Sequence, residues 1–251
     1  MRFGLRAPDD PRIRNTVSLV DALLRCELPQ GPLWYRYTDD GYGEHEDGSP
    51  FDGTGQGRAW PLLAGERAHY ELAAGRMDVA ASLLRTLEDS ASDGGMLPEQ
   101  VWDAEDIPER GLYRGQPTGS AMPLVWAHSE HLKLIRSLND GRVFDMPPQT
   151  VERYQHRKVT ASFRAWCYNN RLRSLPVGKK LRIQLQDKAL VHWSVDNWAS
   201  AHDDPVEHVA FGLYTFDMPT EKLPAGSIVR FTLHWTEQDE WQGEDYEVVV
   251  N

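Results

Sequence analysis

The stretch Met96-Leu97-Pro98-Glu99-Gln100-Val101-Trp102-Asp103 sets one carboxylate among apolar neighbours, next to an amide and three residues before an indole. A carboxylate in such mixed surroundings can serve as a general base, and an indole nearby offers a flat face to a sugar ring. Pro98 stiffens the chain just ahead of it. By spacing alone, Glu99 reads as an ordinary surface residue rather than a catalytic one, because single carboxylates near tryptophan are common.

A second polar run, Asp39-Asp40-Gly41-Tyr42-Gly43-Glu44-His45-Glu46-Asp47-Gly48-Ser49-Pro50-Phe51-Asp52-Gly53-Thr54-Gly55, carries more potential donors and ligands. His45-Glu46 opens like a zinc-protease helix, but no second histidine follows at the needed spacing and the glycines oppose a helix. The acids miss the EF-hand pattern of glycine sixth and glutamate twelfth, which leaves an irregular structural calcium site of loop carboxylates open. Gly53-Thr54-Gly55-Gln56-Gly57 has neither the preceding strand nor the lysine of a phosphate-cradling loop. What remains is a polar loop rich in hydrogen-bonding side chains, or simply a solvated acidic one.

Helices must position these loops. Asp10-Pro11 supplies an N-cap and a proline at the first helical position, and Ile13, Val17, Val20 and Leu24 then share a face. A second helix is expected from about Gly57 to Ala74, ending at Gly75, and a third carries Val79, Leu83 and Leu87. Ser120 can cap a fourth, with Leu124, His128, Leu132, Ile135 and Leu138 on one face and Asn139, Asp140 and Gly141 at its end. The loops between, at 37–58 and 91–118, are long enough to be functional or disordered.

From residue 159 the apolar period changes to two. Phe163, Ala165 and Cys167 alternate with polar or outward neighbours, as do Leu181, Ile183 and Leu185. Val191, Trp193 and Val195 follow, then Val209, Phe211 and Leu213, then Val229, Phe231, Leu233 and Trp235, then Tyr246, Val248 and Val250. This predicts about six or seven antiparallel strands in an all-β, Ig-like sandwich. The expected division is therefore 1–150, all-α, and 151–251, all-β.

Composition narrows the function. The net charge of −11 argues against nucleic acid as a partner. No apolar run is long enough to span a membrane, and the first ten residues lack the apolar core of a secretory signal, so no membrane partner is expected and the compartment stays open. Cys26 and Cys167 are the only cysteines, expected as two buried, reduced thiols. Nine tryptophans are many for 251 residues. Trp193 and Trp235 share the apolar phase of their strands and read as core. Trp198 and Trp241 stand in polar loops, where they could stack on pyranose faces or pack against the helical region.

Taken together, the segments 41–55, Gly57-Arg58-Ala59-Trp60-Pro61-Leu62-Leu63-Ala64-Gly65-Glu66-Arg67, Leu97–Asp103 and Pro117-Thr118-Gly119-Ser120-Ala121-Met122-Pro123-Leu124-Val125-Trp126-Ala127-His128 resemble, in order, the later part of bacterial family 15 glycoside hydrolases of the glucoamylase and glucodextranase group. The resemblance covers roughly residues 1–150, and the appended sandwich is similar to one that follows the catalytic domain in some bacterial members. It implies part of an (α/α)6 toroid, an α-glucan substrate such as starch, maltooligosaccharide or dextran, and exo-acting hydrolysis with inversion, without an organic cofactor. In that chemistry an acid and a base stand roughly 6.5 to 9.5 Å apart to admit a water. Carried over, Glu99 takes the base role, Gln100 and Trp102 line the water site and sugar subsite, and Arg36, Tyr42, Glu44, His45, Asp52, Arg58 and Trp60 fall in the pocket wall.

The match departs from the family at one point of consequence. Members carry the general acid earlier, typically as tryptophan followed by paired glutamates, and this chain has no Trp-Glu-Glu. Twelve helices of about 10 to 14 residues also exceed the space before residue 150, where about four or five fit. A partial toroid exposes apolar faces. The missing earlier region, or a second copy, is therefore an expected partner. The alternative is a non-catalytic carbohydrate-binding or interaction module derived from such an enzyme.

Overall fold

Helix α1 (Pro11–Leu24) starts where proline needs no amide donor and the Asp10 carboxylate accepts from the Arg12 amide at 2.9 Å. None of its residues is fully buried; Ile13, Val17, Val20 and Leu24 are half-buried, while Leu19 and Leu23 face outward. A two-stranded antiparallel hairpin follows, β1 (Arg25–Leu28) and β2 (Gly31–Trp34), which corrects the expectation of an all-helical region. Strands of four residues are too short for alternation to announce them.

Helix α2 (Pro61–Ala73) is the centre of this region, buried from Pro61 through Leu72 on nearly every side and packed against α3 (Met77–Glu88) and α4 (Val125–Asp140). It begins four residues later than the glycine pattern suggests, because 58–60 run extended: the Trp60 amide donates to the Trp34 carbonyl at 2.9 Å and the Val101 amide to the Ala59 carbonyl at 3.0 Å. In α3 the buried line is Ala80, Leu83, Thr86 and Leu87, with Val79 outside.

Helix α4 departs most from its predicted face. Ala127, Glu130, Leu134 and Ser137 are buried, whereas Leu132 is 66% exposed and Val125 77%. The inward face is partly polar, so a purely apolar pattern misses it. Ser120 does not cap the helix; its hydroxyl accepts from the Gln100 amide at 3.0 Å, and the helix starts after Leu124, whose amide is tied to the Leu97 carbonyl.

Between α2 and α4 lies a fully buried polar cluster. The Glu130 carboxylate contacts His69 Nδ1 at 2.8 Å and Arg2 Nη1 at 2.7 Å, and His69 Nε2 meets Ser137 Oγ at 3.1 Å. Burial raises the Glu130 pKa, but His69 and Arg2 outweigh it and pull the group down to about 2. Gly65 lets α4 approach, since a Cβ there would stand 2.6 Å from Glu130 Cγ. Serine, histidine and glutamate in this order resemble a nucleophile relay, yet all three are sealed from solvent and hold the helices together.

The computed structural model describes all 251 residues, which divide into Met1–Val159 and Thr160–Asn251. The short helix α5 (Pro148–Val151) and the π turn Glu152–His156 belong to the first unit, so the boundary lies beyond the 150/151 division expected from sequence texture.

The second unit has two sheets around one apolar core. Strands β3 (Phe163–Trp166), β5 (Lys180–Leu185), β9 (Leu213–Met218) and β8 (Glu207–Ala210) form one, in that order. The other runs β4 (Ser174–Leu175), β12 (Tyr246–Val250), β10 (Ile228–Trp235), β6 (Ala189–Ser194) and β7 (His202–Pro205), with β11 (Glu240–Trp241) also paired to β10. The pairs β3–β5 and β4–β12 are parallel, contrary to the all-antiparallel expectation. Trp166, Leu181, Ile183 and Met218 meet Val191, Trp193, Phe231 and Val248 in the core. In β3 the inward residue is Trp166, the opposite phase to that expected, because its indole fills the centre against Phe231 at 5.0 Å. Val209, within β8, and Phe211, at the turn that follows, are exposed rather than buried. Both cysteines are free and half-buried rather than fully buried.

Candidate functional site

Glu99 sits on an extended segment clamped from both sides. Its amide donates to the Ala121 carbonyl at 2.9 Å; one residue on, the Gln100 carbonyl accepts from the Thr118 amide at 3.1 Å, and Val101 bridges both Ala59 and Pro117. The carboxylate itself is half-buried, forms no ion pair, and has one hydrogen-bond partner: Tyr42 donates its phenol to Oε2 at 3.2 Å. The Glu99 charge, then burial, raises the Tyr42 pKa, which keeps the phenol protonated as a donor.

Tyr42 is fixed in turn. Its ring packs edge-on to Phe51 with centroids 5.0 Å apart, and the Arg36 guanidinium lies 4.9 Å from it and 4.8 Å from the Trp60 ring. Asp40 holds Arg36 through two hydrogen bonds of 2.8 Å, which raise the arginine pKa. Burial works against the Asp40 charge, but Arg36 and the Tyr42 amide prevail and lower its pKa.

A cavity of 390 Å³ opens beside this group, lined in part by Tyr42, Glu44, Phe51, Gln100, Arg110 and Ser120. Glu99 flanks the cavity through Tyr42 and Gln100 without lining it. Glu44 is 7% exposed; Oε1 accepts from the Gly119 amide at 2.8 Å and Oε2 has no partner.

Three expected site residues have other work. Arg58 is buried, paired to Asp103 at 3.0 Å, bonded to the carbonyls of Glu44 and His45 at 2.9 and 2.8 Å, and stacked 4.1 Å from the Trp102 ring. Every one of these contacts is internal, so Arg58 supports the wall rather than forming it. Trp102 is 0% exposed with its indole N–H on the Glu105 carbonyl, and a ring with no open face cannot stack on a sugar. Gln100 borders the cavity, but its amide is consumed by the Arg58 amide at 2.8 Å and the Tyr42 carbonyl at 3.1 Å. Trp60 is also buried, beneath Arg36 and outside the cavity lining, with its indole N–H unpartnered.

His45 meets Asp52 at 3.3 Å on the exposed side of the loop, away from Glu99's hydrogen bonds. The Asp52 pKa is lowered, chiefly by the Thr54 hydroxyl and amide and then by His45. The loop acids take separate partners, Asp40 with Arg36, Asp47 with Ser49 and Asp52 with Thr54. The glycines of the loop serve close packing: a Cβ on Gly55 would stand 1.9 Å from the Gly43 carbonyl oxygen. Sequence inspection passes over Asp40, Asp103, Phe51 and Arg110. The Arg36-Asp40 spacing of four is a usable signal; nothing local links Arg58 to Asp103.

Over 154 residues, 61% of its length, the chain is 46% identical to a glucoamylase of Clostridium sp. (strain G0005). This chain is similar to part of a glucoamylase. The crystal structure of a bacterial glucoamylase complexed with acarbose matches it with a TM-score of 0.55 and 43% identity, again over 61% of this chain. The chain spans only about a fifth of each glucoamylase, 20% and 21% of their lengths. No family model matches it.

Proposed function

We propose that the chain is the later part of an inverting, exo-acting α-glucan hydrolase of the family 15 type, with Glu99 as general base. The observation that carries this is the state of the Glu99 carboxylate: unpaired by any cation, half-exposed, and aimed by a phenol that also lines an open cavity. In the proposed reaction Glu99 takes a proton from a water whose oxygen bonds to the anomeric carbon, while the departing glycosidic oxygen receives a proton from an acid on the opposite face. That acid is assigned to an earlier region, which would also complete the toroid begun by α1 to α4. The limited share of each glucoamylase that the chain spans supports this assignment.

Glucose release from maltooligosaccharides tests the proposal, with the chain assayed alone and mixed with the preceding region of a glucoamylase. Glu99→Gln keeps the shape and the Tyr42 contact but removes the proton acceptor, and the rate is expected to fall about 10²- to 10⁴-fold. A rate unchanged by that substitution would overturn the assignment.

The incomplete toroid has a physical consequence. Val125 and Leu132 stand seven residues apart on one exposed face of α4, and Leu19 and Leu23 four apart on α1. Such stripes favour association. The chain alone is expected to elute as a dimer or larger species at micromolar concentration, and light scattering that returns a stable monomer would remove the need for a covering partner.

A further inference from the structure

On its amino side, the segment that carries Glu99 is tied to α4 and the residues leading into it. The Leu97 carbonyl accepts from the Leu124 amide at 2.8 Å, and the Glu99 amide donates to the Ala121 carbonyl at 2.9 Å; Pro98 between them has no amide to offer. The remaining donor, the Leu97 amide, goes to a side chain: it donates to His128 Nε2 at 3.0 Å. Leu97 is 3% exposed and packed with Trp60, Leu62, Leu87 and Ala127, so water is poorly placed to replace a lost acceptor.

Helix geometry explains the reach. His128 stands one turn after Leu124 in α4, and helical side chains lean toward the N-terminus. The imidazole therefore comes back over the turn at which Leu124 holds Leu97. Only a neutral ring can do this, because Nε2 accepts only when it carries no proton, which puts the single ring proton on Nδ1. An imidazolium presents an N–H at both nitrogens and repels the amide. The carboxylates of the elements packed around it have other partners: Glu88 of α3 contacts His131 at 2.9 Å, Glu130 of α4 contacts His69 and Arg2, and Glu99 accepts from Tyr42. A charged His128 would have none of them to pair with.

We propose that His128 is a positioning residue for Glu99: its neutral imidazole holds the Leu97 amide and so sets the carboxylate in place against Tyr42, and protonation of the ring releases it. On the other side the Ser120 hydroxyl accepts the Gln100 amide at 3.0 Å. Two side-chain acceptors thus flank the carboxylate's backbone, and only His128 can be switched off by a proton. That the positioned group is a general base rests on the hydrolase proposal; the tie does not.

Tyr42 reports the outcome without catalysis, since its phenol donates to Glu99 Oε2 at 3.2 Å and the Glu99 charge raises its pKa above the ordinary 10. In carbon-13 tyrosine NMR of the whole chain, Glu99→Gln is expected to bring the Tyr42 titration back toward 10. His128→Leu, which leaves the Leu97 amide without an acceptor, is expected to bring it part of the way and to speed Leu97 amide exchange about tenfold. His128→Gln, whose Oε1 can take the place of Nε2 and does not titrate, is expected to keep both near the parent. Nitrogen-15 NMR of the parent is expected to show His128 Nε2 unprotonated at about pH 8, with Leu97 protection falling on acidification to about pH 5, a fall that His128→Gln abolishes. A protonated Nε2 at the higher pH, or Leu97 protection that ignores acidification, overturns the tie, and neither measurement on the parent depends on a variant folding. Tyr42 unmoved by a folded His128→Leu overturns the positioning role. Glucose release that survives Glu99→Gln, with these signatures in place, would count against the hydrolase proposal alone.

Discussion

Replacing Arg58 by methionine will destabilise the first unit by about 3 to 5 kcal/mol. The expectation follows from what the guanidinium leaves behind. Asp103 would keep a negative charge in a site from which water is excluded, and the carbonyls of Glu44 and His45 would lose their donor. Methionine preserves most of the contact with Trp102, so the loss reports the uncompensated charge rather than a cavity. Denaturation monitored by tryptophan fluorescence will show the transition of this unit at lower denaturant and about 10 °C lower in temperature. Asp103→Leu combined with Arg58→Met should be milder than either alone, because both charges leave together. A shift below about 1 kcal/mol for Arg58→Met would mean that the pair is solvated and that the wall is supported by packing instead.

The second large effect is acid unfolding through Glu130. Its carboxyl titrates near 2 in the folded chain against an ordinary 4.5, so folding favours the charged form. A depressed carboxylate contributes stability that is complete above about pH 4.5 and drains away as pH falls towards 2, here roughly 3 kcal/mol. Glu130→Gln keeps the shape but cannot titrate. The variant should be less stable than the parent at pH 7 and show a flatter stability profile between pH 4.5 and 2. Parallel profiles would assign the acid sensitivity elsewhere, for instance to Asp10 or Asp40.

Apolar period and the Asp10-Pro11 start made α1 legible, and period with the Gly75 stop located α2 and α3, although α2 is buried on nearly every side and Val79 of α3 stands outside. Helix α4 shows where that logic stops: Glu130 and Ser137 point inward because Arg2 and His69 are there to receive them, and neither partner is adjacent in sequence. The short strands of the first unit were invisible for a related reason. Residues 58–60, 99–103 and 115–118 pair one bridge at a time, so no stretch is long enough to alternate. The bracing duties of Arg58, Gln100 and Trp102 were not legible, because a residue type that can touch a ligand can equally brace the loop that does. The same holds for the glycines at 43 and 55, which look like flexibility in a sequence and act as clearance in the fold.

The cross-bracing around residue 99 bears on when the carboxylate acquires its position. With the amides of 99, 101 and 102 already committed to the chain on either side, its bearing is settled as the polypeptide folds, well before any guest arrives. Binding beside that carboxylate would therefore spend no free energy on ordering the segment that carries it.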